Sequence, residues 1–184
     1  MNELSYVIID KDFKDIEKLQ TLYDGAFPQE ERFFTVEEVV YSPDDFGTME
    51  FKAVYDDDTI IGFYVMCINE EHGYRYLQFF AVDSAIRGKG YGGRILSKLL
   101  EDNREYIFFA SIEKPVPGGE NYEIKLRRQQ FYEKHGMISV YREMIVNGIS
   151  FIAVTNKTGK EFDRCYETEM KEQSRQVSRA GKKS

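Results

Sequence analysis

At 184 residues, with 42% hydrophobic and 31% charged residues, the chain can bury a core without staples and reads as one globular protein, not a disordered or fibrous one. A net charge of −7 argues against nucleic acid as the main partner, and no apolar run reaches the length of a membrane span. Cys67, Cys165, His72 and His135 fit no metal-ligand spacing, and the start, Met1-Asn2-Glu3-Leu4-Ser5, has neither a basic region nor a signal-peptide core, so a cytoplasmic, reduced protein without a metal is expected.

Leu4 to Ile9 reads as a first strand. Phe13, Ile16, Leu19 and Tyr23 then mark a helix with Asp12 as its expected cap, closed by Phe27-Pro28. Glu30-Glu31-Arg32 lies in a loop before a short helix from Thr35 to Tyr41, which Ser42-Pro43 ends. Met49 to Tyr55, the turn Asp56-Asp57-Asp58 and Ile60 to Ile68 make a hairpin, and the turn from Glu70 to Gly73 leads into a third antiparallel strand, Tyr74 to Val82.

A glycine-rich turn, Arg87-Gly88-Lys89-Gly90-Tyr91-Gly92-Gly93, follows that strand. Behind it Ile95, Leu96, Leu99 and Leu100 recur at helical spacing up to Asn103. Strand, glycine turn and helix together make a phosphate site. The first turn of a helix has unpaired N–H groups and the positive end of the dipole, and glycine lets the backbone approach an anion.

Tyr106 to Ile112 is a further strand and Pro115-Val116-Pro117-Gly118-Gly119 a loop. A helix from Tyr122 to Lys134 ends at His135-Gly136, and Ile138 to Val146, Asn147-Gly148 and Ile149 to Thr155 make a second hairpin. Phe162, Tyr166 and Met170 predict one more helix, with a frayed basic tail from Arg175 to Ser184. The class is α/β, a mixed sheet with helices on both faces. Residues 1–157 form the expected main domain and 158–184 a C-terminal helix and tail.

Two readings compete for the glycine turn. Gly88-x-Gly90-x-x-Gly93 satisfies the dinucleotide pattern, and Glu113 falls about 20 residues later, where a ribose-binding acid belongs. An antiparallel meander feeds this turn, however, and only about 70 residues follow Glu113, too few for a doubly wound fold with a substrate domain.

The other reading starts from Arg87-x-x-Gly90-x-Gly92, together with the block Phe131-Tyr132…Gly136-Met137 and the element order from about residue 4 to 155. In these the chain resembles the GNAT superfamily of N-acetyltransferases. The resemblance implies a mostly antiparallel, twisted sheet of about seven strands, here with an extra C-terminal helix, and acetyl-CoA as acetyl donor. It implies that Arg87, Gly88, Lys89, Gly90, Tyr91, Gly92 and Gly93 hold the diphosphate, and that the backbone of Phe80, Ala81 and Val82 pairs with the pantetheine arm. It makes Tyr132 the general acid toward the departing sulfur. Many members carry an Asn seven residues before that tyrosine; here Lys125 stands there, and Asn121 is the nearest upstream substitute.

The general base stays open among Glu113, Glu30 or Glu31, and His72, or no base at all. The acceptor is a small-molecule or peptide amine, bordered by the loops Phe27–Phe34, Tyr41–Gly47 and Glu113–Tyr122. The resemblance allows a homodimer, with no nucleic acid and no membrane as partner. A silent acyl-CoA-binding module and a nicotinamide-dependent oxidoreductase are the alternatives.

Overall fold

Seven strands are hydrogen-bonded in the order β1 (Ser5–Ile8), β2 (Met49–Asp56), β3 (Thr59–Asn69), β4 (Tyr74–Val82), β5 (Ile107–Glu113), β7 (Ile149–Thr155) and β6 (Ile138–Val146). The computed structural model describes residues 3–32, 34–146 and 148–180. The helices are α1 (Ile16–Ala26), α2 (Val36–Tyr41), α3 (Tyr91–Asp102), α4 (Tyr122–Lys134) and α5 (Lys160–Ala180). The β1–β2, β2–β3, β5–β7 and β6–β7 ladders are antiparallel. Neighbours β4 and β5 are joined through α3, the crossover that a parallel pair requires. This is the mixed sheet with flanking helices and an added C-terminal helix that the sequence predicts.

The chain forms two compact units, one reaching to Ile68 and including Leu77–Leu99, the other comprising Asn69–Tyr76 and the chain from Leu100 onward. In the first, Leu19 and Tyr23 lie four residues apart on one face of α1 and are buried. The Tyr23 ring stacks on Phe34 at 4.5 Å, and Phe63 and Phe79 meet it edge-on at 5.7 Å. Phe27 and Phe46 pack against the same core, so at least one aromatic residue from each of two expected acceptor loops serves the fold.

The helix expected to open at Asp12 begins at Ile16. Asp10 takes the Asp12 N–H on its carboxylate at 2.9 Å and the Phe13 N–H on its carbonyl at 3.0 Å, a local turn that keeps these residues out of the helix while Phe13 enters the core. Asp15, at the helix start, makes no side-chain cap, because its carboxylate accepts from Lys18 at 2.8 Å and from the Tyr55 hydroxyl at 2.9 Å. α2 has a full capping box: Glu38 N–H donates to Thr35 Oγ1 at 3.1 Å, and Thr35 N–H donates to Glu38 Oε2 at 2.6 Å.

In the second unit, Phe162 and Tyr166 of α5 are buried, and Phe162 meets Phe109 edge-on at 5.8 Å. The Tyr74 hydroxyl donates to the buried Glu169 at 2.8 Å. α5 continues to Ala180, so the tail expected from Arg175 is helical that far. The apolar pattern stops at Met170, but the following residues are mostly Lys, Glu, Gln, Arg and Ala, good helix formers without any packing. Residues 181–184 and Asn147 of the expected Asn147-Gly148 turn lie outside the described residues; Gly148 has φ +80°, as a tight hairpin turn demands.

Candidate active site

β4 runs straight into the glycine turn. The Asp83 N–H donates to the Ile61 carbonyl at 2.9 Å, and the Asp83 carboxylate accepts from Ala85 N–H at 2.9 Å, opening a short 3-10 turn at Ser84–Ile86. Gly88 and Gly90 both have φ +84°, a conformation that only glycine adopts without strain. The first bond of the α3 ladder runs from Arg94 N–H to the Gly90 carbonyl at 3.1 Å. The N–H groups of Tyr91, Gly92 and Gly93 therefore precede the ladder and have no acceptor within the helix. The first turn of α3 holds no acidic side chain. A left-handed turn at the positive end of a helix, with no acidic residue of its own and bordered by Arg87 and Lys89, suits an anion such as a diphosphate.

Two side chains brace this turn. The Tyr91 hydroxyl donates to Asp56 Oδ2 at the end of β2, and the Arg94 guanidinium lies 5.7 Å from the Tyr91 ring centre. In β4, Phe80 and Val82 are half-buried and Ala81 is buried. A Cβ on Gly62 of β3 would sit 2.5 Å from the Ala81 carbonyl oxygen, so the missing side chain is what admits β4 there. Glu31 ends a 3-10 turn (Gln29–Glu31) in the same unit and is half-buried.

In the second unit, Tyr132 of α4 is 7% exposed, and Phe131 meets its ring at 5.3 Å. Burial pushes the phenol up to about 12, and the Arg128 cation one helical turn earlier partly opposes this. Glu113, the last residue of β5, holds two cations: Lys125 Nζ lies 2.8 Å from its Oε2 and Arg128 Nη1 3.5 Å from its Oε1. The lysine that replaces the expected asparagine is thus bound to one of the candidate bases. Asn121 flanks α4 at φ +56°; its carbonyl accepts the N–H groups of Ile124 and Lys125 at 3.0 Å, and its side chain makes no cap. His72 in the β3–β4 turn has Nδ1 3.2 Å from Asn69 Oδ1.

Among the described residues no group of three or more His, Cys, Asp or Glu side chains could hold a metal ion, and no helix is long and apolar enough to cross a membrane. The sequence reading missed Asp56, which looked like an ordinary turn residue, and the pairing of Arg128 with Glu113. The one signal for the latter was the spacing of Lys125, Arg128 and Tyr132 along one helix face.

The dinucleotide reading requires a doubly wound parallel sheet, and the antiparallel ladders here are not one. Residues 48–136 match the acetyltransferase (GNAT) domain model. None of the curated proteins matches the chain. A GNAT-family protein from Bacteroides thetaiotaomicron is 24% identical, with 91% of this chain and 93% of that one covered and a TM-score of 0.70. A Bacillus subtilis acetyltransferase in complex with CoA is 13% identical, with 85% and 100% covered and a TM-score of 0.57. A GNAT-family acetyltransferase from Elizabethkingia anophelis with acetyl-CoA bound is 15% identical, with 86% and 100% covered and a TM-score of 0.55. The structural likeness is one of fold, and the span that matches the acetyltransferase (GNAT) domain model takes in both the glycine turn and Tyr132.

Proposed function

We propose that the protein is an N-acetyltransferase that moves an acetyl group from acetyl-CoA to a primary amine by direct attack. The observation that carries this reading is the pair of left-handed glycines, Gly88 and Gly90, ahead of the open first turn of α3. The backbone N–H groups from Gly88 to Gly93 hold the diphosphate, and Arg87 and Lys89 add charge. The backbone of Phe80, Ala81 and Val82 pairs with the pantetheine arm, and Asn121 borders it. Acetyl-CoA, when bound, supplies the activated acyl carbon and a thiolate leaving group.

Tyr132 gives its hydroxyl proton to the departing sulfur. Its raised value keeps it protonated at any physiological pH, but makes it a weaker acid than a free thiol at about 8.5. Proton transfer therefore depends on stabilising the phenolate, and Arg128 supplies a positive charge one turn away. Glu113 has a cation on each oxygen and serves better to hold Arg128 and Lys125 than to take a proton from the amine. Glu31, or water where the amine enters already neutral, takes the proton that the nitrogen sheds as the amide forms.

The acceptor is a small amine, an amino sugar, an aminoglycoside, or a protein N-terminus or lysine. Release of free thiol from acetyl-CoA across a panel of such amines tests the reaction. Thermal unfolding with acetyl-CoA, CoA and NADPH in parallel tests the ligand, since a ligand at about 100 times its Kd adds roughly 2.7 kcal/mol. Stabilisation by both CoA species and amine-dependent thiol release support the reading. Stabilisation without turnover on any amine favours a silent acyl-CoA-binding module, and a response to NADPH alone overturns the proposal.

A further inference from the structure

We propose that Asp56 is a positioning residue for acetyl-CoA: by accepting the Tyr91 hydroxyl it ties the first residue of α3 to the end of the β2–β3 hairpin and so holds the glycine turn in its binding shape. This rests on the reading of that turn as the diphosphate site.

The turn needs an anchor for a simple reason. Gly88, Gly90, Gly92 and Gly93 have no side chains with which to pack, and glycine loses more freedom on ordering than any other residue. Tyr91 is the large side chain set among them, and it is half-buried. Its hydroxyl ends on Asp56 Oδ2, 35 residues away in sequence.

Asp56 sits on a firm support. It closes β2 opposite Thr59, next to Asp57 at φ +52°. The β2–β3 register shifts between Val54 and Tyr55, immediately before it. A bulge at such a place re-aims the side chains that follow. The same bond that ties the turn raises the Tyr91 phenol and keeps it a donor.

The charge of Asp56 runs against the role of its neighbourhood. A carboxylate beside a site for an anion repels that anion, so its benefit lies in geometry and not in Coulomb attraction. An anchored turn loses less freedom when the ligand arrives, which appears as affinity. The two contributions separate by substitution. Asp56→Ala removes the acceptor, whereas Asp56→Asn keeps an acceptor oxygen and removes the charge.

Steady-state kinetics of the full chain decide it, after titration of the wild type with CoA. Asp56→Ala raises KM for acetyl-CoA about tenfold with kcat within about twofold. Asp56→Asn keeps KM at or below the wild-type value. Tyr91→Phe raises KM as Asp56→Ala does, and the double variant is no worse than either single one, as expected of one shared interaction. S-acetyl-pantetheine, which lacks the diphosphate, shows no change in KM with Asp56→Ala. An unchanged KM in Asp56→Ala, an equal loss in Asp56→Asn, or an equal effect on S-acetyl-pantetheine overturns the proposal. If Asp56→Ala does not fold, Tyr91→Phe carries the same comparison. A wild type that does not bind CoA overturns the functional reading and this one together, whereas CoA binding insensitive to Asp56 overturns this one alone.

Discussion

Lys125 holds Glu113 at 2.8 Å, and Arg128 reaches the other oxygen of the same carboxylate at 3.5 Å. Glu113 is four-fifths buried and pairs with both cations. A free carboxylate at this position reads as a general base; a doubly paired one organises cations around α4. Glu113→Gln separates the two. Loss of a general base costs about 10²–10⁴ in rate. Loss of an organising anion leaves kcat within about tenfold, and it unmasks positive charge near Tyr132, which moves the alkaline limb of the kcat–pH profile to lower pH. The profile of the variant against wild type is the measurement.

Tyr132→Phe removes one oxygen atom from a buried ring and leaves its packing against Phe131 in place. The proposed acid is lost while the cradle for the diphosphate is untouched. The expected result is a fall in kcat of about 10²–10⁴ with KM for acetyl-CoA within a factor of about three. A variant that turns over as fast as wild type removes Tyr132 from the chemistry.

The same substitution has a consequence for stability. The Tyr132 phenol lies near 12 in the folded chain and near 10 when unfolded, because burial opposes its ionisation. Below pH 10 both states hold the proton and the fold has its full stability. Between pH 10 and 12 mainly the unfolded state releases it, so stability falls, by about 2 kcal/mol at the upper end. Tyr132→Phe lacks this loss. Denaturant unfolding at pH 8 and pH 11 shows a smaller drop in the variant than in wild type.

Local signals carried the parts of this fold that are local in origin. The helix at Tyr122–Lys134 was legible from the proline- and glycine-rich loop before it and Gly136 after it, and Gly136 has φ +85°. The glycine turn was legible because Gly88 and Gly90 occupy a region of backbone space that strongly favours glycine. The start of α1 was not, since a bond from Asp12 N–H to the Asp10 side chain competes with helix and periodicity does not record it. The braces of the site were also out of reach. Asp56 meets Tyr91, and Glu113 meets Lys125, only after strands and helices have folded together, and a charged residue in a turn looks the same in sequence whether or not it has such a partner.

Gly62 carries a further prediction, which runs from packing to ligand binding. A Cβ at this position would stand 2.5 Å from the Ala81 carbonyl oxygen, and that obstacle is backbone, which cannot rotate aside. Gly62→Ala therefore forces β3 and β4 apart locally, at a cost of about 1–3 kcal/mol. For a chain of this size each kcal/mol lowers Tm by about 2–4 °C, so calorimetry shows a drop of several degrees. The displaced strand is the one whose backbone at Phe80, Ala81 and Val82 is proposed to pair with the pantetheine arm. KM rises for acetyl-CoA and for S-acetyl-pantetheine alike, because both carry that arm. Asp56→Ala, acting on the diphosphate cradle, affects the first and spares the second. The two variants measured on the two donors thus report separately on the strand and on the turn, and a Gly62→Ala protein with both KM values unchanged removes β4 from the binding site.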